Sequence, residues 1–370
     1  MNPSALSEIK GSILMQFRNY MRVYAAALIS CFALASLAHA ADSGPGALTR
    51  LLDAQLSRMP AKSGIYVKYL PTGEEGMVRA DEPFESASTI KTATMVLAFR
   101  MADAGQLKLD ERVEIGAAQM RGGSGIYRYK DLGLRPTWRD VITEMIITSD
   151  NTATDMMIAK VGGKEKVNAF LAEQGYKVLK QIHTTGEYFR LGFAALDPKY
   201  ANISMEDVFA LCCADSTIRR MPVFSDQRKG LIEEVRAARK ARMGSLPPLN
   251  NPEDQTKWFG AASPREMGRL VESFESCTIA KTESCDEMRR MFRAQQAGTM
   301  KIPHYLTVPV GHKTGETGGV TNDVGVIYAR SGPIVISFFN MNMTGSRADT
   351  EDMMGEVART VVDYFDGRRG

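Results

Sequence analysis

The sequence predicts a mixed α/β fold of the α+β kind, an antiparallel sheet flanked by the N- and C-terminal helices and joined to an all-helical lobe. Leucines at helical spacing in 47–59, and apolar residues four apart in 350–365, predict a helix near each end of the chain. Strand patterns at 64–70 and 323–342 predict the sheet. Helical patterns between them, at about 84–300, predict the separate helical lobe.

The composition of the 370-residue chain is that of an ordinary globular protein, with 44% hydrophobic and 24% charged residues. The formal net charge is only +3, and no basic run interleaved with aromatic residues occurs. We therefore expect no nucleic-acid partner. The length suits one large domain or two small ones, and we expect a monomer.

The first 40 residues have the features of a secretory signal peptide. Two arginines precede an apolar run at 23–37, and Ala38-His39-Ala40 is a small-residue cleavage site. Cleavage after Ala40 leaves a mature domain at 41–370 in the periplasm or outside the cell. The alternative is an uncleaved membrane anchor, but the run is short for a membrane span. No other stretch of the sequence is long and apolar enough to be one.

Four cysteines remain after the signal peptide is removed: Cys212, Cys213, Cys277 and Cys285. An oxidising compartment permits disulfides, and four cysteines admit three pairings. Cys277 and Cys285 are near enough in sequence to close a short loop, and buried free thiols are the alternative. The spacing of the four is not that of a zinc site, so we expect no metal.

Short strands and a buried helix are predicted first along the chain. The run at 64–70 predicts a strand, Pro71-Thr72-Gly73 turns it, and 75–80 is its expected hairpin partner. The stretch from Lys91 to Phe99 has no charge after the lysine and no helix breaker. It predicts a helix buried all round, with Ser88 at its N-terminus.

Further helices are predicted in the middle of the chain. Thr137 and Asp140 form a capping-box pattern that opens a helix, which stops at 148–151. A second helix is expected from near Thr152 and a third at 163–174.

The region 184–262 is the least regular part of the sequence. It holds helical patterns at 204–213 and 230–243, followed by a proline-rich segment at 246–252. We interpret it as an insertion in the helical lobe. Ser263-Pro264 then opens another helix, with proline at its first position.

The last part of the chain predicts the centre of the sheet. The segment 305–315 leads into a strand, and 323–329 and 333–342 are strands joined by the turn Ser331-Gly332. The 333–342 strand is apolar on both faces and is therefore expected to be internal. A C-terminal helix is expected from Thr350.

The first chemical pattern is Ser88-x-x-Lys91. Residues three apart share a helix face, so a hydroxyl and an amine lie side by side where backbone N–H groups favour negative charge. A serine is a weak nucleophile unless a base is beside it, and a lysine removed from water loses its proton more easily. The alternative is a helix that carries a serine and a lysine with no chemical role.

Two later tripeptides add polar groups. Ser149-Asp150-Asn151 offers a second hydroxyl for proton transfer and an amide for a substrate carbonyl, or else it is simply a helix N-cap cluster. Lys313-Thr314-Gly315, on an expected edge strand, offers a cation and a hydroxyl for a carboxylate, with a glycine that permits close approach. Its alternative is a polar strand end.

Together, Ser-x-x-Lys, Ser-Asp-Asn and Lys-Thr-Gly resemble, in that order, the signature set of class A β-lactamases and penicillin-binding proteins. The resemblance extends over most of 46–183 and 262–368. It implies a β-lactamase/transpeptidase-like fold of two lobes with the site in the cleft between them. The implied substrate is a small β-lactam or a peptidoglycan-like peptide, and no cofactor or metal is implied.

The resemblance also implies a role for each motif residue. Ser88 is the acylated nucleophile, Lys91 is a candidate base, and Ser149 passes a proton to the leaving nitrogen. Asn151 binds the amide of the substrate side chain. The substrate carboxylate and oxyanion are held by Lys313, Thr314 and Gly315, and by the backbone N–H groups of Ser88 and Glu316.

The sequence departs from the family pattern in two places. Class A enzymes hydrolyse the acyl-enzyme with a glutamate from an E-x-x-L-N loop, and that motif is not found in this sequence. Glu187 lies near the expected place and is our candidate, with Glu206 and Glu253 as alternatives. Glu316 stands where the family has a small or hydroxyl residue, and an acid there repels a substrate carboxylate if it points into the cleft.

Three functions remain open from the sequence. The first is a class A-like β-lactamase that is acylated and deacylated at Ser88. The second is a D-Ala-D-Ala peptidase or esterase, and the third is a penicillin-binding sensor without turnover. A Ser-His-Asp triad is disfavoured, because His183, His304 and His312 lack a nucleophile-elbow context.

Overall fold

The structure is a computed structural model that describes residues 46–213, 226–242 and 254–369. The predicted signal peptide, its cleavage site and Glu253 lie outside the described residues. The chain divides after Ala47 into two units, and the description below concerns the large one, Leu48–Gly370. Within the described ranges, no helix has the length and apolar character needed to cross a membrane.

The described chain begins and ends with a helix, and most of its strands lie near the two ends, as the sequence predicts. The α-helices in the described residues are α1 Ala47–Leu56, α2 Lys91–Asp103, α3 Trp138–Ile147, α4 Asn151–Lys160, α5 Gly163–Glu173, α6 Thr185–Leu196, α7 Met205–Cys213, α8 Asp226–Ala241, α9 Pro264–Glu275, α10 Thr282–Arg293 and α11 Arg347–Asp366. The strands are β1 Lys62–Tyr69, β2 Glu74–Val78, β3 Phe84–Glu85, β4 Lys180–Gln181, β5 Gly260–Ala262, β6 Val310–Thr317, β7 Val320–Ala329 and β8 Gly332–Met341.

The main sheet is antiparallel and has the strand order β2-β1-β8-β7-β6. The central strand is β8, and it is buried on both faces, as its apolar sequence at 333–342 predicts. The strand β6, which carries Lys-Thr-Gly, is an edge strand as predicted, because among the described strands it pairs only with β7. In this pairing Lys313 lies opposite Val324. The short strands form a second sheet, β3-β5-β4.

Helices cover both faces of the main sheet. The terminal helices share one apolar cluster with strand residues, illustrated by Leu52 of α1, Ile336 of β8 and Val361 of α11. On the other face, Leu270 of α9 lies in a larger cluster with Val335 of β8 and with the helical lobe. The predicted α/β fold, with terminal helices on a sheet and a helical lobe, is therefore confirmed.

The helix α2 runs through the larger cluster, and every residue from Lys91 to Phe99 is buried. The predicted start of this helix is wrong, however. Ser88 lies in a 3₁₀ turn, Ala87–Ile90, and the α-helix begins only at Lys91. Short 3₁₀ turns are frequent at the N-terminus of an α-helix, and this one runs directly into α2.

The region 184–262 contains α6, α7 and α8, with 214–225 and 243–253 outside the described residues. Its helices share a small apolar cluster of their own, including Phe193, Val208 and Val235. The predicted capping box at Thr137 is present and opens α3. A disulfide joins Cys277, just after α9, to Cys285 in α10. Cys212 and Cys213 carry thiols.

Candidate active site

A cavity of about 510 Å³ lies where the three motifs meet. Ser88, which is partly exposed, opens onto it from the turn before α2. Phe259, beside β5, forms another part of the wall. The residues that line the cavity are Ala87, Ser88, Gly123, Ser124, Thr148, Ser149, Asn151, Thr185, Tyr188, Phe189, Phe259, Ala297, Thr314, Glu316, Thr317, Gly318 and Arg347.

The turn that presents Ser88 (residues 86–90, hereafter the Ser88 turn) is held by the buried carboxyl group of Glu85. Glu85 Oε1 accepts hydrogen bonds from the N–H of Ala87 at 3.0 Å and of Gly260 at 3.4 Å, and Oε2 accepts from the N–H of Phe259 at 3.0 Å. Burial raises the pKa of Glu85 to about 8, and the three N–H donors act in the opposite direction. Glu85 therefore ties the Ser88 turn to β5.

The edge strand β6 lies directly against the Ser88 turn. A Cβ atom at Gly315 would lie 2.7 Å from the carbonyl oxygen of Ser86 and 3.0 Å from the amide nitrogen of Thr89. Asn322 on β7 donates from Nδ2 to the carbonyl oxygens of Glu85, at 2.9 Å, and Ser86, at 3.1 Å. Only glycine fits at position 315, because a side chain there would collide with the backbone of the Ser88 turn.

Lys91 joins the first two motifs. Its Nζ donates to the carbonyl oxygen of Ser149 at 2.7 Å, to Ser149 Oγ at 3.1 Å and to Asn151 Oδ1 at 2.8 Å. The side chain is completely buried. Burial lowers the pKa of Lys91 from 10.5 to about 7, and the negative charges of Asp150 and Asp155 limit the shift. A neutral amine is therefore accessible near neutral pH.

The Ser149-Asp150-Asn151 tripeptide caps a helix through one residue and lines the cavity with the other two. Asp150 caps α4 and accepts from the N–H of Ala153 at 2.8 Å and of Tyr127 at 2.7 Å. Ser149 has a φ of 55°, and together with Asn151 it lines the cavity. The cap thus fixes the strained backbone that presents the other two side chains to Lys91.

Ser124 is a site residue that the sequence analysis did not identify. Its Oγ donates to the carbonyl oxygen of Ser149 at 2.7 Å and lies 3.3 Å from Asn151 Oδ1. The neighbouring Gly122 accepts from Asn151 Nδ2 through its carbonyl oxygen at 2.9 Å. The glycine-rich run at 122–125 was the available signal, since it brings backbone close to the Ser-Asp-Asn motif.

Lys313 is buried beneath the cavity, and its Nζ donates to the carbonyl oxygen of Thr314 at 2.8 Å. Burial, reinforced by the positive charges of Lys91 and Lys301, holds the pKa of Lys313 well below its usual range. Thr314, the next residue, lines the cavity. The third motif therefore contributes Thr314 to the cavity wall directly.

Glu316 lines the cavity and is paired with two cations. Its Oε1 accepts from Lys301 Nζ at 2.6 Å and its Oε2 from Arg347 at 3.1 Å. Burial alone favours a higher pKa for Glu316, but the charge of Lys301 and the hydrogen bond from it outweigh burial and lower the pKa. Neither cation was predicted, because both are distant in sequence and belong to no motif.

Glu187, our candidate for the hydrolytic base, does not line the cavity. It completes a capping box at the start of α6, where Oε2 accepts from the N–H of Thr184 at 2.9 Å and from Lys164 Nζ at 2.8 Å. Burial opposes these contacts, yet the hydrogen bond from Lys164 lowers the pKa of Glu187. The alternative candidate Glu206 pairs with Arg228 at 2.7 Å.

The start of α6 faces the cavity with Thr185, Tyr188 and Phe189 instead. Asp155 holds this end of the helix: its carboxylate accepts from the N–H of Thr185 at 2.7 Å and of Gly186 at 2.9 Å. Among the described residues that line the cavity, Glu316 is the only carboxylate.

The three histidines among the described residues lie apart from the cavity lining. His312 Nδ1 pairs with Asp323 at 2.8 Å, His304 lies 3.2 Å from Asp352, and His183 contacts a backbone carbonyl oxygen. In the described ranges, no group of three or more metal-ligating side chains is assembled.

The fold is that of class A β-lactamases and related acyl-enzyme-forming proteins. An ancestral class A β-lactamase (GNCA) aligns with a TM-score of 0.64 and 20% identity over 86% of this chain and 100% of its own. A β-lactamase from Sphaerobacter thermophilus gives 0.61 and 24%, over 85% and 95%. A mutant of PBP-A, in an acyl-enzyme complex with penicillin G, gives 0.62 and 22%, over 86% and 96%.

The chain belongs to the beta-lactamase enzyme family, whose family model matches residues 47–365. Beta-lactamase L2 of Stenotrophomonas maltophilia is 32% identical over 190 residues, which are 49% of this chain and 62% of that protein. Beta-lactamase PSE-4 of Pseudomonas aeruginosa is 29% identical over 119 residues, 32% of this chain and 41% of that protein. The chain thus spans less than two thirds of the length of these relatives.

Proposed function

We propose that the protein is a serine hydrolase of the class A β-lactamase type, which forms an acyl-enzyme at Ser88 with a β-lactam or a peptide-like amide. The observation that carries this proposal is the Lys91 contact network. A buried lysine with a pKa of about 7 reaches Ser149 and Asn151 of the second motif and lies one helical turn after the cavity-lining serine. Membership of the beta-lactamase enzyme family supports the same activity.

In the acylation step, Ser88 Oγ attacks the carbonyl carbon of the substrate and an ester bond forms. Neutral Lys91 accepts the serine proton, and Ser149 Oγ, 3.1 Å from Lys91 Nζ, passes a proton to the departing nitrogen as the C–N bond breaks. The developing oxyanion lies between the backbone N–H groups of Ser88 and Glu316. Removing one such donor typically costs about 3 kcal/mol of transition-state stabilisation.

Substrate binding uses the remaining motif residues. Asn151 is held by Lys91 and by the backbone of Gly122, so its amide is fixed at the cavity wall. Thr314 lies at the end of the cavity toward which a substrate carboxylate points, and Lys313, buried behind it, supplies the nearby amine. Gly315 lets β6 approach the Ser88 turn closely enough to close the site.

A second candidate function is favoured by the α6 side of the cavity. Hydrolysis of an acyl-enzyme needs a base for water, and the described residues there are a threonine and two aromatics rather than a carboxylate. Glu187 serves as a helix cap. This favours a long-lived acyl-enzyme with a β-lactam over rapid β-lactam hydrolysis. Such an acyl-enzyme is expected of a D-Ala-D-Ala peptidase, an esterase or a penicillin-binding sensor.

Acylation is tested by measuring the intact mass of residues 41–370 during incubation with benzylpenicillin. We expect a single adduct with the mass of the intact drug, because the opened ring remains attached. Ser88→Ala is expected to form none. Ser86→Ala is the matched control, since Ser86 is a buried serine of the same turn, and it is expected to retain the adduct. An adduct on Ser88→Ala, or none on the parent, contradicts the proposal.

We also propose that residues 1–40 are a signal peptide that exports the protein to the periplasm or the medium, where it acts as a monomer on small substrates. The basis is the apolar run before Ala38-His39-Ala40. N-terminal sequencing of the exported protein is expected to give Ala41 as the first residue. An N-terminus upstream of the apolar run argues for a retained anchor.

A further inference from the structure

Glu316 lies at the end of the cavity toward which a substrate carboxylate is proposed to point. Glu316 and Arg347 are the two charged residues among the described residues that line the cavity, and they are paired with each other at 3.1 Å. Their side chains are 39% and 41% exposed, so both are accessible from the cavity. A substrate carboxylate that enters this end meets a negative charge already in place.

The three described cations near this end of the cavity are all engaged. Arg347 donates to Glu316 and also to the carbonyl oxygen of Thr317 at 2.7 Å. Lys301 is completely buried and donates to Glu316 at 2.6 Å. Lys313 is buried, donates to a backbone carbonyl oxygen and has a lowered pKa. The positive charge available to an incoming anion is therefore smaller than the Lys-Thr-Gly motif implies.

We propose that Glu316 is a specificity-determining residue that occupies, with its own carboxylate, the anion position formed by Arg347 and Lys301. It thereby shifts the enzyme toward acyl donors whose leaving end is uncharged, such as esters and amidated peptides. The inference rests on the proposed function and concerns the substrate class of the same site. Like-charge repulsion and competition for the guanidinium act in the same direction.

The chain offers a substitution that tests this charge alone. Glu316→Gln keeps an acceptor oxygen for Lys301 and removes the negative charge. Glu351→Gln is the matched control, because Glu351 lies 3.7 Å from the same lysine but does not line the cavity. The double variant Glu316→Gln with Arg347→Gln removes the guanidinium that the single variant sets free.

The measurement is kcat/KM for acylation by two thioester donors that differ only at the leaving end, one a carboxylate and one a primary amide. With either donor, Ser88 Oγ forms an ester, the C–S bond breaks, and the thiol leaves with the serine proton. The ratio of the two values within one protein cancels any loss of folded enzyme. Thermal unfolding of each variant is recorded as well.

We expect the carboxylate-to-amide ratio to rise on the order of tenfold or more in Glu316→Gln, as for a hydrogen bond gained between charged groups. It is expected to stay at the parent value in Glu351→Gln and to return toward it in the double variant. An unchanged or lower ratio in Glu316→Gln, an equal rise in Glu351→Gln, or a rise that survives loss of Arg347 overturns the inference alone. No acylation of the parent by either donor overturns the proposed function as well.

Discussion

Replacing Lys91 with methionine is expected to change how the free energy of unfolding depends on pH. In the folded protein, burial lowers the pKa of Lys91 to about 7. In the unfolded chain the lysine has its ordinary pKa of 10.5. Between these values the unfolded state binds one proton more than the folded state, so stability rises with pH. Below pH 6 both states are protonated, and the contribution of Lys91 no longer varies.

The magnitude follows from the two pKa values. Between pH 7.5 and pH 9.5, the contribution of Lys91 raises the free energy of unfolding by about 2.5 kcal/mol. The slope approaches about 1.36 kcal/mol per pH unit where the lysine is protonated in the unfolded chain and neutral in the folded one. The lysine is fully buried, so solvent screening does not reduce the effect. Methionine has a similar length and no titrating group, so the variant lacks this slope.

The assay is urea unfolding of the parent and Lys91→Met at half-unit pH steps from 6 to 10. We expect the difference in unfolding free energy, parent minus variant, to be flat near pH 6 and to rise toward pH 9.5. Lys108→Met is the control, because Lys108 is exposed, and its curve is expected to parallel that of the parent. Parallel curves for Lys91→Met would show an ordinary pKa and would refute Lys91 as a base at neutral pH.

Two further predictions concern packing and the disulfide. Gly315→Ala places a methyl group against the backbone of the Ser88 turn, so acylation is expected to slow on the order of a hundredfold, as for a displacement of about 1 Å. Gly230→Ala, which meets no atom within 4 Å, is expected to leave the rate unchanged, and equal rates in both variants would contradict the close approach. Replacing Cys277 and Cys285 by serine opens a loop with a sequence separation of 8 and is expected to lower the free energy of unfolding by about 2.5 kcal/mol in urea. A reducing agent should have the same effect on the parent and none on the variant.

Local patterns predicted most of the fold. The capping box at Thr137 and the proline at the start of α9 fixed helix starts that the structure reproduces, because each depends on residues within one turn. The position of β8 at the centre of the sheet followed from its apolar residues on both faces. The start of α2 was mistaken because a short 3₁₀ turn before an α-helix has no signature in the sequence.

The sequence motifs predicted the position of the candidate site, but they did not predict the side chains that support it. Lys91, Ser149 and Asn151 come together as their order in the sequence suggested. Glu85 was missed because its partners at 259–260 lie 174 and 175 residues along the chain. Lys301 was missed in the same way, since only the folded chain brings it to Glu316. Long-range polar pairs of this kind have no periodicity that a sequence pattern could reveal.

The lifetime of the acyl-enzyme tests the central claim most directly. The claim is that Ser88 is acylated while the described residues on the α6 side of the cavity wall supply no carboxylate for hydrolysis. The measurement is the intact mass of the purified protein after reaction with benzylpenicillin and rapid removal of free drug. We expect an adduct, absent in Ser88→Ala, that persists long after the drug is gone. No adduct on the parent would contradict acylation of Ser88, whereas an immediate return to the native mass, with many equivalents of drug hydrolysed, would contradict the second candidate function and identify a rapid β-lactamase.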